Sequence, residues 1–187
     1  MEAMQRDPVI NGVDTRAMNQ TVDAIRTDPA LAQFKFRAKN RAILGGHNQS
    51  EVKEFYGAKQ EHRTDKEPFI LDNDEPPILL SGDTGPNPVE YVIQALLACM
   101  TTTTVYKAAA QGIEIESVRS EVEGDIDLRG MLGLDPKVRP GYQEIRATLR
   151  IKTKGPKDKV RDLHRFSPVY DTLARPVPIK VEIKFED

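Results

Sequence analysis

The chain has 187 residues, 39% of them hydrophobic, with 27 basic against 29 acidic side chains and a net charge of -2. That length buries one sizeable core, and its charges alternate along predicted strands instead of clustering, so nothing in the balance points to nucleic acid or a membrane surface. No apolar run approaches the roughly 20 residues needed to span a bilayer, the opening MEAMQRDPVI lacks the apolar stretch of a signal peptide, and a single cysteine, unable to form an internal disulfide, fits a reducing cytoplasm.

In chain order, Asp14 is placed to cap an amphipathic helix running to about Thr27, with Met18, Val22 and Ile25 on one face and Asp28-Pro29 as its stop. Phe34, Phe36 and Ala38 alternate with Lys35 and Arg37, which predicts a strand leading into a Gly45-Gly46 turn. Residues 57–87 are charged and proline-bearing, with short apolar pieces at 69–71 and 78–80. They read as a long irregular connection holding one or two short strands.

The stretch GPNPVEYVIQALLACMTTTT, residues 85–104, contains the only cysteine. Asn87 suits an N-cap, Pro88 the first helical position, and Glu90 stands three residues after the cap, where its carboxylate reaches back to the Asn87 amide. Val92, Leu96, Cys99, Thr103 and Tyr106 follow at spacings of four and three, which predicts a buried stripe that includes Cys99. On that pattern Cys99 is either a small core residue or a nucleophile, and it lies too far inside the helix for the terminal dipole to activate it. The threonine run 101–104 has poor helix propensity and reads as a packing device, its short side chains letting another helix approach.

Gly112 ends this helix, and the period then changes to that of strands. Val118, Val122, Ile126 and Leu128 share one parity, and Ile145, Ala147, Leu149 and Ile151 another, predicting two half-buried antiparallel strands around a loop at 130–141. Gly155-Pro156 opens a helix carrying Val160 and Leu163, and Ser167, immediately before Pro168, is placed as the N-cap of a further turn or two. Ile179, Val181, Ile183 and Phe185 alternate as a closing strand. The sum is an α+β domain. His47, His62 and His164 lie in separate segments without metal-ligand spacing, so neither a metal site nor a cofactor is expected.

A loop ending in G-P-N-P, a helix of the form E-x-x-x-x-A-L-x-x-C, and later S-P-V-Y-D-T-L-x-R-P-V-P followed by a last strand resemble the OsmC/Ohr family of thiol-dependent peroxidases from about Ser81 onward. Residues 10–57 resemble a longer N-terminal variant of one subgroup. The resemblance implies an OsmC-like fold, antiparallel sheets around a long central helix in an intertwined homodimer, with residues 1–33 as an N-terminal helical extension and 34–187 as the OsmC-like domain. A helix of about 25 residues extends roughly 37 Å, longer than one small subunit covers easily, which also favours a dimer.

By the same resemblance Cys99 is the nucleophile, and Ser167 occupies the position of the second, resolving cysteine. An arginine on the N-terminal strand region, Arg37 or Arg41, activates the thiol. The family places a glutamate directly after its Asn-Pro pair; here Val89 stands there and Glu90 one step later, so Glu90 reads as a cap, though it and His164 are carried as pocket candidates. Two functions follow. One is reduction of a small hydrophobic hydroperoxide by Cys99 with an external thiol as reductant, in defence against oxidative stress; the other is a non-catalytic dimer that binds a small molecule or serves as a stress-associated scaffold.

Overall fold

The computed structural model of the chain describes residues 9–186; residues 1–8, most of the opening segment read above for a signal peptide, and Asp187 lie outside the described residues. Contacts divide the chain into two units, one through Gln94 and one from Ala95 onward. In the first unit a short antiparallel pair, β1 (Val9–Ile10) and β2 (Val13–Asp14), leads into α1 (Thr15–Thr27). Asp14 caps α1 as expected, its carboxylate accepting from the Ala17 N–H at 2.9 Å. The helix stops at Asp28, whose own carboxylate caps a single 3-10 turn that Pro29 opens. Met18 and Ile25 of the expected apolar face are half-buried, whereas Val22 is exposed.

The strand expected through Phe34–Ala38 is divided. β3 (Lys35–Phe36) and β4 (Lys39–Leu44) belong to different sheets. β4 turns at Gly45-Gly46 into β5 (His47–Val52), followed by β6 (Phe55–Gly57), β7 (Gln60–His62) and β8 (Phe69–Asn73). Two antiparallel sheets result, ordered β3-β6-β7 and β4-β5-β8. β5 is the middle strand of its sheet although its side chains are polar; Asn40 Nδ2 donates across the register to Asn48 Oδ1 at 2.7 Å and to Ser50 Oγ at 2.9 Å. The β6–β7 turn places Ala58 and Lys59 at φ 47 and 66, both positive as a type I′ turn requires, without the usual Asn-Gly signal. The stretch 57–87 therefore holds more strand than its composition suggests.

Among the described residues of this first unit no large apolar side chain is buried, and Phe36, Leu44 and Phe69 are 72, 82 and 61% exposed. Phe34, Phe36 and Phe55 instead stack on one another with centroids 5.4 to 6.3 Å apart.

α2 (Pro88–Ala110) starts in the first unit and continues into the second. Its start is the expected capping box: Asn87 Oδ1 accepts from the Val89 N–H, and the Glu90 carboxylate accepts from the Asn87 N–H, each at 2.9 Å. Gly85 before it has no alternative, since a Cβ there would lie 2.4 Å from the Asp72 carbonyl oxygen. At the other end the Gly112 N–H reaches the Ala109 carbonyl and the Ile113 N–H the Ala108 carbonyl, both at 2.9 Å, with Gly112 at φ +70. This is the Schellman ending that a glycine makes without steric cost.

In the second unit β9 (Ile115–Asp125) pairs antiparallel with β10 (Glu144–Thr153), the register setting Ile151 opposite Val118 and Ala147 opposite Val122, so the two predicted apolar parities share one face. Leu128 departs from the expected parity. The Asp127 carboxylate accepts from the Arg129 N–H at 3.0 Å and starts a short helix, α3 (Leu128–Met131), in place of further strand. After β10 come α4 (Lys157–Arg161), a 3-10 turn over Leu163–Phe166, and α5 (Pro168–Ala174). Ala108, Ile113, Val160 and Leu163 form the buried core, with Ile115 and Ile151 packed against it.

The closing strand is the second departure. From Arg175 to Glu186 the chain has no ladder partner among the described residues, and Ile179, Val181, Ile183 and Phe185 are 74 to 95% exposed. Alternation sets which side chains share a face, but a strand exists only where an edge receives its N–H and C=O groups. The architecture is α+β, with antiparallel sheets and one long helix.

Candidate functional site

Cys99 is a free, half-buried thiol on the part of α2 that belongs to the second unit. The buried stripe of α2 is not the one expected: Leu96, Met100, Thr104 and Ala108, each four residues apart, are buried, while Val92 and Tyr106 are exposed. Cys99 stands beside that stripe. Apolar residues occur on nearly every side of this helix, so spacing alone selected the wrong neighbouring row.

Ser167 is fully buried, and its hydroxyl oxygen accepts from the Tyr170 N–H at 3.2 Å, the N-cap of α5. Glu90 is committed to the capping box described above. His164 Nδ1 lies 3.1 Å from the Arg161 carbonyl oxygen, and its ring meets Tyr170 edge-on at 5.6 Å.

Arg37 and Arg41 both lie in the first unit. Arg37 makes two hydrogen bonds to the Glu61 carboxylate, at 2.8 and 2.9 Å, which push the guanidinium's pKa up and hold that carboxyl below its usual range. Arg41 bonds a neutral partner, Gln49 Oε1, at 3.0 Å. The nearest thing to a built ionic site in this unit is Asp74, which is 1% exposed. It accepts from the Ser81 hydroxyl at 2.5 Å, from the Thr84 N–H and hydroxyl at 2.9 and 2.8 Å, and from the Glu75 N–H at 2.8 Å. Those bonds, with Ser81 foremost, hold its pKa well below the ordinary carboxylate range. Asp74 thereby ties down the loop that leads into the G-P-N-P turn. Among the described residues no three or more His, Cys, Asp or Glu side chains converge as metal ligands.

A cavity of about 870 Å³ opens in the second unit. Its apolar walls include Leu96 and Met100 of α2, Ile145 and Leu149 of β10, and Tyr170 and Leu173 of α5. His164 lines it; Cys99 and Ser167 do not. The sequence gave this cavity no motif of its own, since its walls look like ordinary core positions on three elements.

Residues 81–182, more than half of the chain, match the OsmC-like protein family. The chain belongs to that family. The fold agrees: an OsmC-like protein from Mycoplasma pneumoniae superposes with a TM-score of 0.55 at 18% identity, covering 76% of this chain and 89% of that one. An OsmC-like protein of unknown function from Vibrio cholerae gives 0.54 at 11%, covering 74% and 92%. An organic hydroperoxide resistance protein OsmC from Legionella pneumophila gives 0.51 at 19%, covering 77% and 92%. No protein of curated function matches the sequence. No helix among the described residues is long and apolar enough to cross a membrane.

Proposed function

We propose that this OsmC-like protein reduces organic hydroperoxides through Cys99 alone. The observation that carries the reading is the thiol itself: the only cysteine of the chain lies at the family's helix position and is half-buried, open to a small reactant and not sealed in the core. The Legionella relative, described as an organic hydroperoxide resistance protein, supports the substrate class. In the proposed step the Cys99 thiolate attacks the terminal peroxide oxygen. A sulfur–oxygen bond forms as the oxygen–oxygen bond breaks, and the departing alkoxide takes a proton to become an alcohol. One external thiol then displaces water from the sulfenic acid to give a mixed disulfide, and a second releases Cys99.

A thiol needs a cation to titrate near neutrality. Arg37 and Arg41 are the proposed candidates, and Arg41 is preferred because its guanidinium faces a neutral amide whereas that of Arg37 is already matched by Glu61. A homodimer is part of the proposal. A unit that leaves Phe36, Leu44 and Phe69 mostly exposed has apolar surface for a second copy to cover. Dependence on external thiols suits a thiol-rich, cytoplasmic setting.

The test is capture of Cys99 sulfenic acid by a dimedone-type probe after one equivalent of cumene hydroperoxide. Probe adduct on Cys99 is the expected result; an unlabelled, unoxidised thiol removes the reading. A second reading, binding of a small molecule without thiol chemistry, is favoured by the cavity of the second unit, which lies within the roughly 300–1,000 Å³ typical of ligand sites.

A further inference from the structure

The cavity of the second unit has three features that ordinary core packing leaves unexplained. The first is a buried polar atom. Thr104 is 1% exposed, lines the cavity, and its hydroxyl has no hydrogen-bond partner among the described residues. A buried hydroxyl left unpaired costs free energy that a protein ordinarily avoids, either by a partner or by an apolar replacement. Helical threonines commonly bond the carbonyl four residues back, as Thr21 and Thr27 do in α1. Thr104 does not.

The second is the charge around the opening. Arg139, Lys157 and Arg161 are exposed members of the lining. Arg161 has only a distant ion pair with Asp158 at 3.9 Å. The one acid in the lining, Glu144, is already engaged by Arg146 at 2.8 Å, and Arg146 also holds Glu123 and Asp125. The rim is therefore cationic in effect, although the whole chain carries a net charge of -2.

The third is shape and wall chemistry. Between the rim and Thr104 the walls are aliphatic and aromatic, from Leu96, Met100, Ile145, Leu149, Tyr170 and Leu173, which suits an apolar body.

We infer that this cavity binds an aliphatic carboxylate bearing a hydrogen-bonding oxygen at its far end, the carboxylate at Arg139, Lys157 and Arg161 and the far oxygen at Thr104. The inference deepens the small-molecule reading and is independent of thiol chemistry, since Cys99 does not line the cavity. A neutral apolar occupant would leave the rim cations unmatched, and an amine would be repelled by them. A plain fatty acid would leave the Thr104 hydroxyl unpaired. The ω-hydroxy acid satisfies both ends.

The experiment is calorimetric titration of the full chain with ω-hydroxydecanoate, decanoate, decanol and decylamine. The hydroxy acid is expected to bind one per chain and about fivefold tighter than decanoate, the worth of one hydrogen bond. Thr104→Val, which keeps the shape and removes the hydroxyl, should erase that difference. The double substitution Arg139→Gln with Lys157→Gln should weaken both acids by about tenfold. Ala147→Trp, which fills the cavity from an exposed position on β10, should abolish binding. Equal binding of acid, alcohol and amine, lost in Ala147→Trp, overturns the ligand class while the cavity remains a binding site. No binding of any of the four, or binding unaltered by Ala147→Trp, overturns both.

Discussion

Ser167 separates a structural hydroxyl from a chemical one. It sits where two-cysteine relatives of this fold are expected to carry their second thiol, yet here it is fully buried and caps α5 through the Tyr170 N–H at 3.2 Å. Ser167→Ala removes that acceptor and leaves the amide of a first-turn residue without a partner. The loss is about 1–2 kcal/mol, the usual range for a cap whose amide is partly shielded from water. For a chain of this size each kcal/mol moves the thermal midpoint by about 2–4 °C, so a fall of about 2–8 °C is expected. Thermal unfolding followed by circular dichroism measures it, with urea unfolding at unchanged slope as the check that stability alone has moved. Thiol-coupled hydroperoxide consumption should stay at the wild-type rate at a temperature where both proteins are folded. An unchanged midpoint together with a changed rate would refute the reasoning and place the hydroxyl in the chemistry of Cys99.

Leu163→Ala opens a cavity in the core formed with Ala108, Ile113 and Val160 and should cost about 3 kcal/mol, read as a lowered urea midpoint. Asp74 gives a pH dependence whose sign is set by its depressed pKa: its contribution is present above the ordinary carboxylate value near 4 and is lost as pH falls through the native value. The urea midpoint should drop from pH 5 to pH 3, and Asp74→Asn should be less stable at pH 7 with a shallower drop on acidification. Peroxide in excess without added thiol should carry Cys99 to the sulfinic state, a gain of two oxygens by intact mass, because no other cysteine exists to capture the sulfenic acid. If Ser167→Cys instead yields a loss of two hydrogens, the two positions face each other; sulfinic product in both proteins means that they do not.

The parts of the fold legible in the sequence were those whose signals are local. The Asn87–Glu90 box, the Gly112 ending, the Asp14 cap and the Ser167 cap are each a short side chain meeting an amide within three residues, or a glycine at positive φ. The paired parities of β9 and β10 were legible because one face is apolar along the whole ladder. β5 was not, since a strand whose side chains bond sideways to Asn40, Arg41 and Asp72 has no apolar alternation to show. The closing segment erred the other way: Ile179 to Phe185 alternate as a strand does, but pairing depends on an edge that lies elsewhere in the assembly or nowhere. At the candidate site, Cys99 was found by its singularity and its family motif. Its position beside the buried row, and the cavity that this row lines with Thr104, depend on which of several apolar faces of α2 packs inward, and spacing does not choose among them.

The central claim is that one thiol does the chemistry, and the direct measurement is consumption of cumene hydroperoxide coupled to an added dithiol, comparing the native chain with Cys99→Ser at equal concentration. Catalytic turnover by the native protein, reduced to the uncatalysed rate in Cys99→Ser, is the predicted result. Equal rates in the two proteins, or no turnover in either with the thiol shown to be reduced at the start, would contradict it.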